Sequence, residues 1–229
     1  MNLLKMSDIA ERELYWPWWP YIPGGKVSNI YGDKNVGKTH LAMAVIAGVT
    51  GGRALPGRES PNEPIHVLLQ TPGDWLNVAK SRLKKCGANC DLIHIAPLEL
   101  GCQDSDIKNI ERIINEIGVI KLFVVDPVDL YLHNADEGEC YSYVRRLSCL
   151  AALTNCAVVL VGDALPSSVQ EIVHSLIIVG PEEGEDKYLR GLSHMTPILG
   201  KNMDDYSEDV LFRIHPEEGF QWVGLKSSV

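Results

Sequence analysis

The run Gly32-Asp33-Lys34-Asn35-Val36-Gly37-Lys38-Thr39 has the spacing G-x-x-x-x-G-K-[ST], in which each fixed position has a physical task. Glycines at both ends let the backbone wrap closely round a phosphate, while successive N–H groups and a helix N-terminus supply positive potential. Lys38 is placed to reach the β- and γ-phosphates, and the Thr39 hydroxyl to ligate Mg²⁺. Asp33, Lys34, Asn35 and Val36 form the turn and His40 follows it, so Gly32 to His40 is the expected contact surface for ATP. A turn and helix cap without nucleotide is the bland alternative for the same residues.

Such a loop needs a second acid for the metal. Lys121-Leu122-Phe123-Val124-Val125-Asp126 supplies an apolar strand ending in a carboxylate, and Asp126 is the expected partner of Thr39 at Mg²⁺. Read alone, an Asp in that position is also an ordinary strand cap. Cys86, Cys90, His94 and Cys102 are separated by three, three and seven residues, without the close ligand pairs of structural zinc sites, and read as ordinary core or half-buried side chains.

The elements that would position these groups alternate. Apolar, β-branched runs predict strands at Lys26–Tyr31, Ile65–Gln70, Leu92–Ala96, Ile120–Asp126 and Ala157–Gly162. Between them, helical patterns cover Thr39–Thr50, Asp74–Cys86, Ser105–Ile117 and Glu139–Thr154; in the third, Ile107, Ile110, Ile114 and Ile117 share one face. This alternation predicts an α/β fold with a mostly parallel central sheet flanked by helices. Shorter, partly antiparallel strands are expected at Leu176–Val179, Tyr188–Ser193, Val210–Ile214 and Phe220–Val223. The acidic stretches at 182–186 and 204–209 read as solvated loops.

With 229 residues, 45% hydrophobic and 22% charged, disorder is excluded and one domain spanning 1–229 is expected. The longest apolar stretch, Leu41 to Val49, falls far short of the ~20 residues that span a bilayer, and the start resembles no export signal, so the expectation is a cytoplasmic protein with no membrane partner. Its six cysteines then read as thiols. A net charge of −9 argues against a strongly basic duplex-binding module, although not against a local basic groove.

The chain resembles the RepA-like branch of the RecA-fold P-loop ATPases. Trp18-Trp19-Pro20-Tyr21-Ile22-Pro23-Gly24-Gly25-Lys26 is similar to that family's lead-in to the first strand, and Gly48 to Arg53 with Leu55-Pro56-Gly57 to its loop after the P-loop helix. Asp126-Pro127, the stretch Arg145 to Thr154 with its following strand, and the two terminal strands resemble their counterparts too. The prolines and tryptophans of residues 1–25 suggest a strap packed on the domain; the resemblance implies a RecA-like fold and a homo-oligomer, in that family often a hexamer, with ATP between subunits. It further implies single-stranded DNA or a DNA-processing protein as partner, and a role for Lys201 reaching a neighbour's nucleotide, with Arg190 a second candidate.

Two positions depart from the family. Its water-polarising Glu falls on Gly73, which offers no group for proton transfer, so Asp74 either substitutes or caps the next helix. Its sensor after the fifth strand is replaced by Gly162-Asp163-Ala164-Leu165-Pro166-Ser167-Ser168, where Asp163 either orients water or metal or makes a turn. The three tryptophans at 16, 18 and 19 suit either base stacking or a rigid strap over the core, and Tyr141, Tyr143, Arg145 and Arg146 suit either single strands or a plain helix surface. Two functions follow: an Mg²⁺-dependent ATPase using Lys38, Asp74 and Lys201, or an ATP-binding switch that hardly turns over.

Overall fold

The computed structural model describes residues 5–6, 15–58, 63–96, 104–181, 192–199, 208–215 and 218–228, with backbone alone for 104, 192–199 and 228. Lys201, Arg190, Cys102, the stretch 182–186 and most of 204–209 lie outside the described residues.

Apolar strands buried on both faces pair in parallel. β1 (Val27–Tyr31), β2 (His66–Gln70), β3 (Ile93–Ile95), β4 (Ile120–Val125), β5 (Ala157–Gly162) and β6 (Ser175–Pro181) form the parallel part of a nine-stranded sheet ordered β3-β2-β4-β5-β1-β6-β7-β8-β9. β7 (Leu192–Leu199), β8 (Val210–His215) and β9 (Gly219–Leu225) continue it antiparallel. The α/β fold and its terminal antiparallel strands are therefore as expected from the sequence.

Two late strands differ. β6 is longer than the sequence suggests and pairs in parallel with β1, Ser28 opposite Ser175 and Tyr31 opposite Ile178. Of the expected Tyr188–Ser193, residues 188–191 lie outside the described residues; β7 is described from Leu192 and runs past Ser193 through Pro197 to Leu199. Proline reads as a breaker because it cannot donate to a ladder, but β8 pairs only with Leu192 to Met195, so Pro197 lies where β7 has one neighbour.

Helices cover both faces. α1 (Lys38–Thr50) and α2 (Leu76–Lys85) pack on one side; α3 (Asp104–Ile117) and α5 (Glu137–Thr154) pack on the other, with short α4 (Asp129–Leu132) and α6 (Ser167–Gln170) between strands. Strand residues alternate accordingly: Val67, Leu69, Leu122 and Val124 face α1, while Leu68, Phe123 and Val125 face α5. α1 is buried from Leu41 to Thr50 because α2, the N-terminal segment and β8–β9 enclose its outer side. On α3, Ile107, Ile110 and Ile114 form the buried stripe. α5 opens with a capping box, in which Asp136 Oδ1 accepts from the Glu139 N–H and Glu139 Oε2 accepts from the Asp136 N–H.

The tryptophans differ in their surroundings. Trp18 is 0% exposed, packs against Tyr21 and edge-on to Trp222, and donates its indole N–H to the Pro56 carbonyl at 2.8 Å, while Tyr21 donates its hydroxyl to the Glu208 carbonyl at 2.9 Å. That is the strap. Trp16 and Trp19 instead meet edge to face and line a cleft of about 860 Å³ with Arg58 and Lys121, beside the amino ends of β2 and β4.

Candidate nucleotide-binding site

Parallel strands all end on one edge, so whatever follows β1, β2, β4 and β5 meets there. The P-loop follows β1, Asp74 follows β2, Asp126 follows β4 and Asp163 follows β5. Since β1 neighbours β5 and β5 neighbours β4, the groups after those three converge, while β2 lies one strand farther out.

The loop has the irregular backbone that a phosphate cradle needs. Asn35 has φ 68° and Gly37 φ 102°, left-handed values that turn successive N–H groups inward. A Cβ on Gly37 would stand 2.5 Å from Ile214 Cδ1 and 3.4 Å from Phe212, so the floor of the loop is β8. Val36 is buried in that same core and serves as an anchor, with only its backbone available to a ligand; Asp33, Lys34 and Asn35 are exposed, and Gly32, Thr39 and His40 half-buried.

Lys38 folds back over the loop. Its Nζ donates to the Gly32 carbonyl at 2.5 Å, to the Asp33 carbonyl at 3.2 Å and to Asp163 Oδ1 at 3.3 Å. Thr39 donates its hydroxyl to Asp126 Oδ1 at 3.1 Å, joining the two groups that the sequence assigns to the metal. Asp126 is 3% exposed, and its Oδ2 is buried without a hydrogen-bond partner among the described residues. Burial pushes its carboxyl up to about 6, against the Thr39 hydrogen bond and the Arg82 and Lys38 charges, and the nearby Asp129 adds to the rise. A buried carboxylate oxygen with no partner, beside a hydroxyl, is the donor set that a divalent cation satisfies.

Asp129 carries no motif and is invisible to a residue-by-residue reading. Both of its carboxylate oxygens accept from the Asp163 N–H, at 3.0 and 3.2 Å, and the Val128 N–H donates to the Val161 carbonyl at 2.8 Å, so the turn after β4 is tied to the end of β5. The only available signal is its place three residues after Asp126.

Asp74 is exposed in a 3-10 turn, Gly73–Trp75, that precedes α2, and neither that turn nor α2 has a side-chain cap. The helix-capping alternative is thus a correction: α2 starts at Leu76, two residues beyond the sequence estimate. Ser168 donates its hydroxyl to Glu137 at 2.5 Å. Tyr143 is 0% exposed in the core, which removes it from any aromatic surface on α5, while Tyr141 accepts from Arg145 at 3.3 Å. Among the described residues no three His, Cys, Asp or Glu side chains form a metal cluster, and no helix is long and apolar enough to cross a membrane.

A sheet of this order with this loop after β1 and a carboxylate after β4 defines a P-loop ATPase fold. The chain belongs to the AAA domain family, whose sequence profile matches residues 4–164. No curated protein matches the chain.

Proposed function

We propose that the protein is an Mg²⁺-dependent ATPase of the RepA-like, RecA-fold type, a single domain acting in the cytoplasm as a ring oligomer in DNA replication, recombination or repair. The observation that carries the catalytic part is the Thr39–Asp126 pair with its unpartnered buried oxygen, next to the P-loop lysine. Thr39 and Asp126 would hold Mg²⁺, which when bound neutralises charge on the β- and γ-phosphates. The loop N–H groups and the α1 N-terminus bind the triphosphate, and Lys38 exchanges its loop carbonyls for phosphate oxygens. Lys201 of a neighbouring subunit and single-stranded DNA belong to this reading through the family resemblance alone.

A second reading, an ATP-binding switch with little turnover, is favoured by Gly73 at the usual Glu position and by the exposed setting of Asp74. Fluorescent-nucleotide titration and phosphate release, for wild type and Lys38→Ala with and without single-stranded DNA, decide between them. Binding with turnover, both lost in the variant, supports the ATPase. Binding without turnover selects the switch, and no binding by the wild type removes both.

A further inference from the structure

We propose that Asp163, oriented by Asp129, is the catalytic carboxylate that activates the attacking water, in the place left empty by Gly73. This inference rests on the ATPase reading. Asp163 leaves β5 beside the P-loop with its Oδ1 3.3 Å from Lys38 Nζ, the atom that engages the γ-phosphate when nucleotide enters. Its side chain is 60% exposed, so water has free access to it.

The backbone that carries the carboxylate is held from below. Asp129 holds the Asp163 backbone N–H with both oxygens, and that approach is possible only because residue 162 is glycine: a Cβ there would lie 2.7 Å from Asp129 Oδ2 and 2.8 Å from Val128 Cγ1. Asp129 is the positioning residue; Asp163 is the group that meets water.

Two states follow. Without nucleotide, Asp163 shares Lys38 with the Gly32 and Asp33 carbonyls. When Lys38 turns to the phosphates, the freed carboxylate faces the γ-phosphate with a water between them, since two anions do not pack directly. The water oxygen bonds to the γ-phosphorus, and the bond from that phosphorus to the β–γ bridging oxygen breaks with its electron pair remaining on ADP. The water proton passes to Asp163 and then to solvent, giving ADP and inorganic phosphate.

The arrangement makes binding and turnover move in opposite directions, which a structural role does not. Asp163→Asn removes the competitor for Lys38 and the base together. ATP should bind about two- to fivefold more tightly, as expected for loss of an exposed ion pair, while kcat falls roughly 10²- to 10⁴-fold. Asp129→Ala should lower kcat with KM nearly unchanged, and Asp163→Glu should recover part of the turnover. Titrating all three variants with fluorescent ATP and following phosphate release tests this with one readout independent of catalysis. Asp163→Asn binding ATP more weakly, or keeping kcat within about threefold of wild type, overturns the inference while leaving the ATPase reading intact. Loss of turnover in Asp74→Ala with turnover retained in Asp163→Asn also overturns it. If the wild type binds no nucleotide, both fall together.

Discussion

Replacing Asp126 by Asn should make the nucleotide-free, metal-free protein more stable at neutral pH. The carboxyl is raised from 3.8 to about 6 by burial, and its Oδ2 has no partner. The folded-state value lies above that of the unfolded chain, so the native state holds the proton more tightly, and ionising the group opposes folding. A rise of roughly two units at about 1.4 kcal/mol each gives a penalty of about 3 kcal/mol. That penalty is fully present above about pH 7 and fades as the pH falls through 6 towards 4. The amide keeps an acceptor for the Thr39 hydroxyl and cannot ionise, but its NH2 takes the partnerless Oδ2 position at a cost of about 1 kcal/mol, so Asp126→Asn should gain about 2 kcal/mol at pH 7.5, or roughly 4–8 °C in Tm for a domain of this size. Measuring urea or thermal unfolding of both proteins in EDTA from pH 4.5 to 8 isolates the group, because every other titration is common to the pair. A difference between the two curves that grows by about 2 kcal/mol from pH 4.5 to pH 7.5, most of it before pH 7, is the expected pattern. An Asn variant less stable at every pH, by a constant amount, would refute the assignment of an unpaired, desolvated charge. The same variant should lose Mg²⁺-dependent nucleotide affinity, a conflict between stability and function common at active sites.

Gly37→Ala should cost about 1–2 kcal/mol from the left-handed backbone alone, with a further cost from Ile214, and reduce ATP affinity; adding Ile214→Val should recover the Ile214 share in a double-mutant cycle followed by urea unfolding. Trp18→Ala should destabilise the fold by about 3–5 kcal/mol, whereas Trp18→Phe, which loses mainly the bond to the Pro56 carbonyl, should cost far less in the same unfolding assay.

Local chemistry explains what the sequence discloses. A P-loop is legible because its glycines and lysine are needed at fixed spacing by backbone geometry, and β4 and β5 because strands buried on both faces run nearly continuously apolar, whereas β1 buries Ser28 and Asn29. Asp126 is legible as the end of such a strand. Asp129 is not, because its role exists only once β4 and β5 lie side by side and Gly162 leaves room for it. The reach of β7 past Ser193 is not legible for a similar reason, since whether Pro197 breaks a strand depends on which neighbour is missing. Nor could the sequence divide Trp18 from Trp16 and Trp19, whose difference is which side of the chain the core occupies.

Because β8 makes the floor of the P-loop and the Trp18 strap is fastened to the Glu208–Trp222 region, the nucleotide site joins the early and late parts of the chain. During synthesis the loop at 32–39 emerges long before the segment at 210–225 that supports it. At roughly 5–20 residues per second, the interval is on the order of 10–30 s. The parallel strands can assemble in that time, yet a nascent chain holding every residue of the loop has nothing beneath Gly37. The support beneath the loop is therefore the last part of this site to be made, and it is complete only once the late strands have docked.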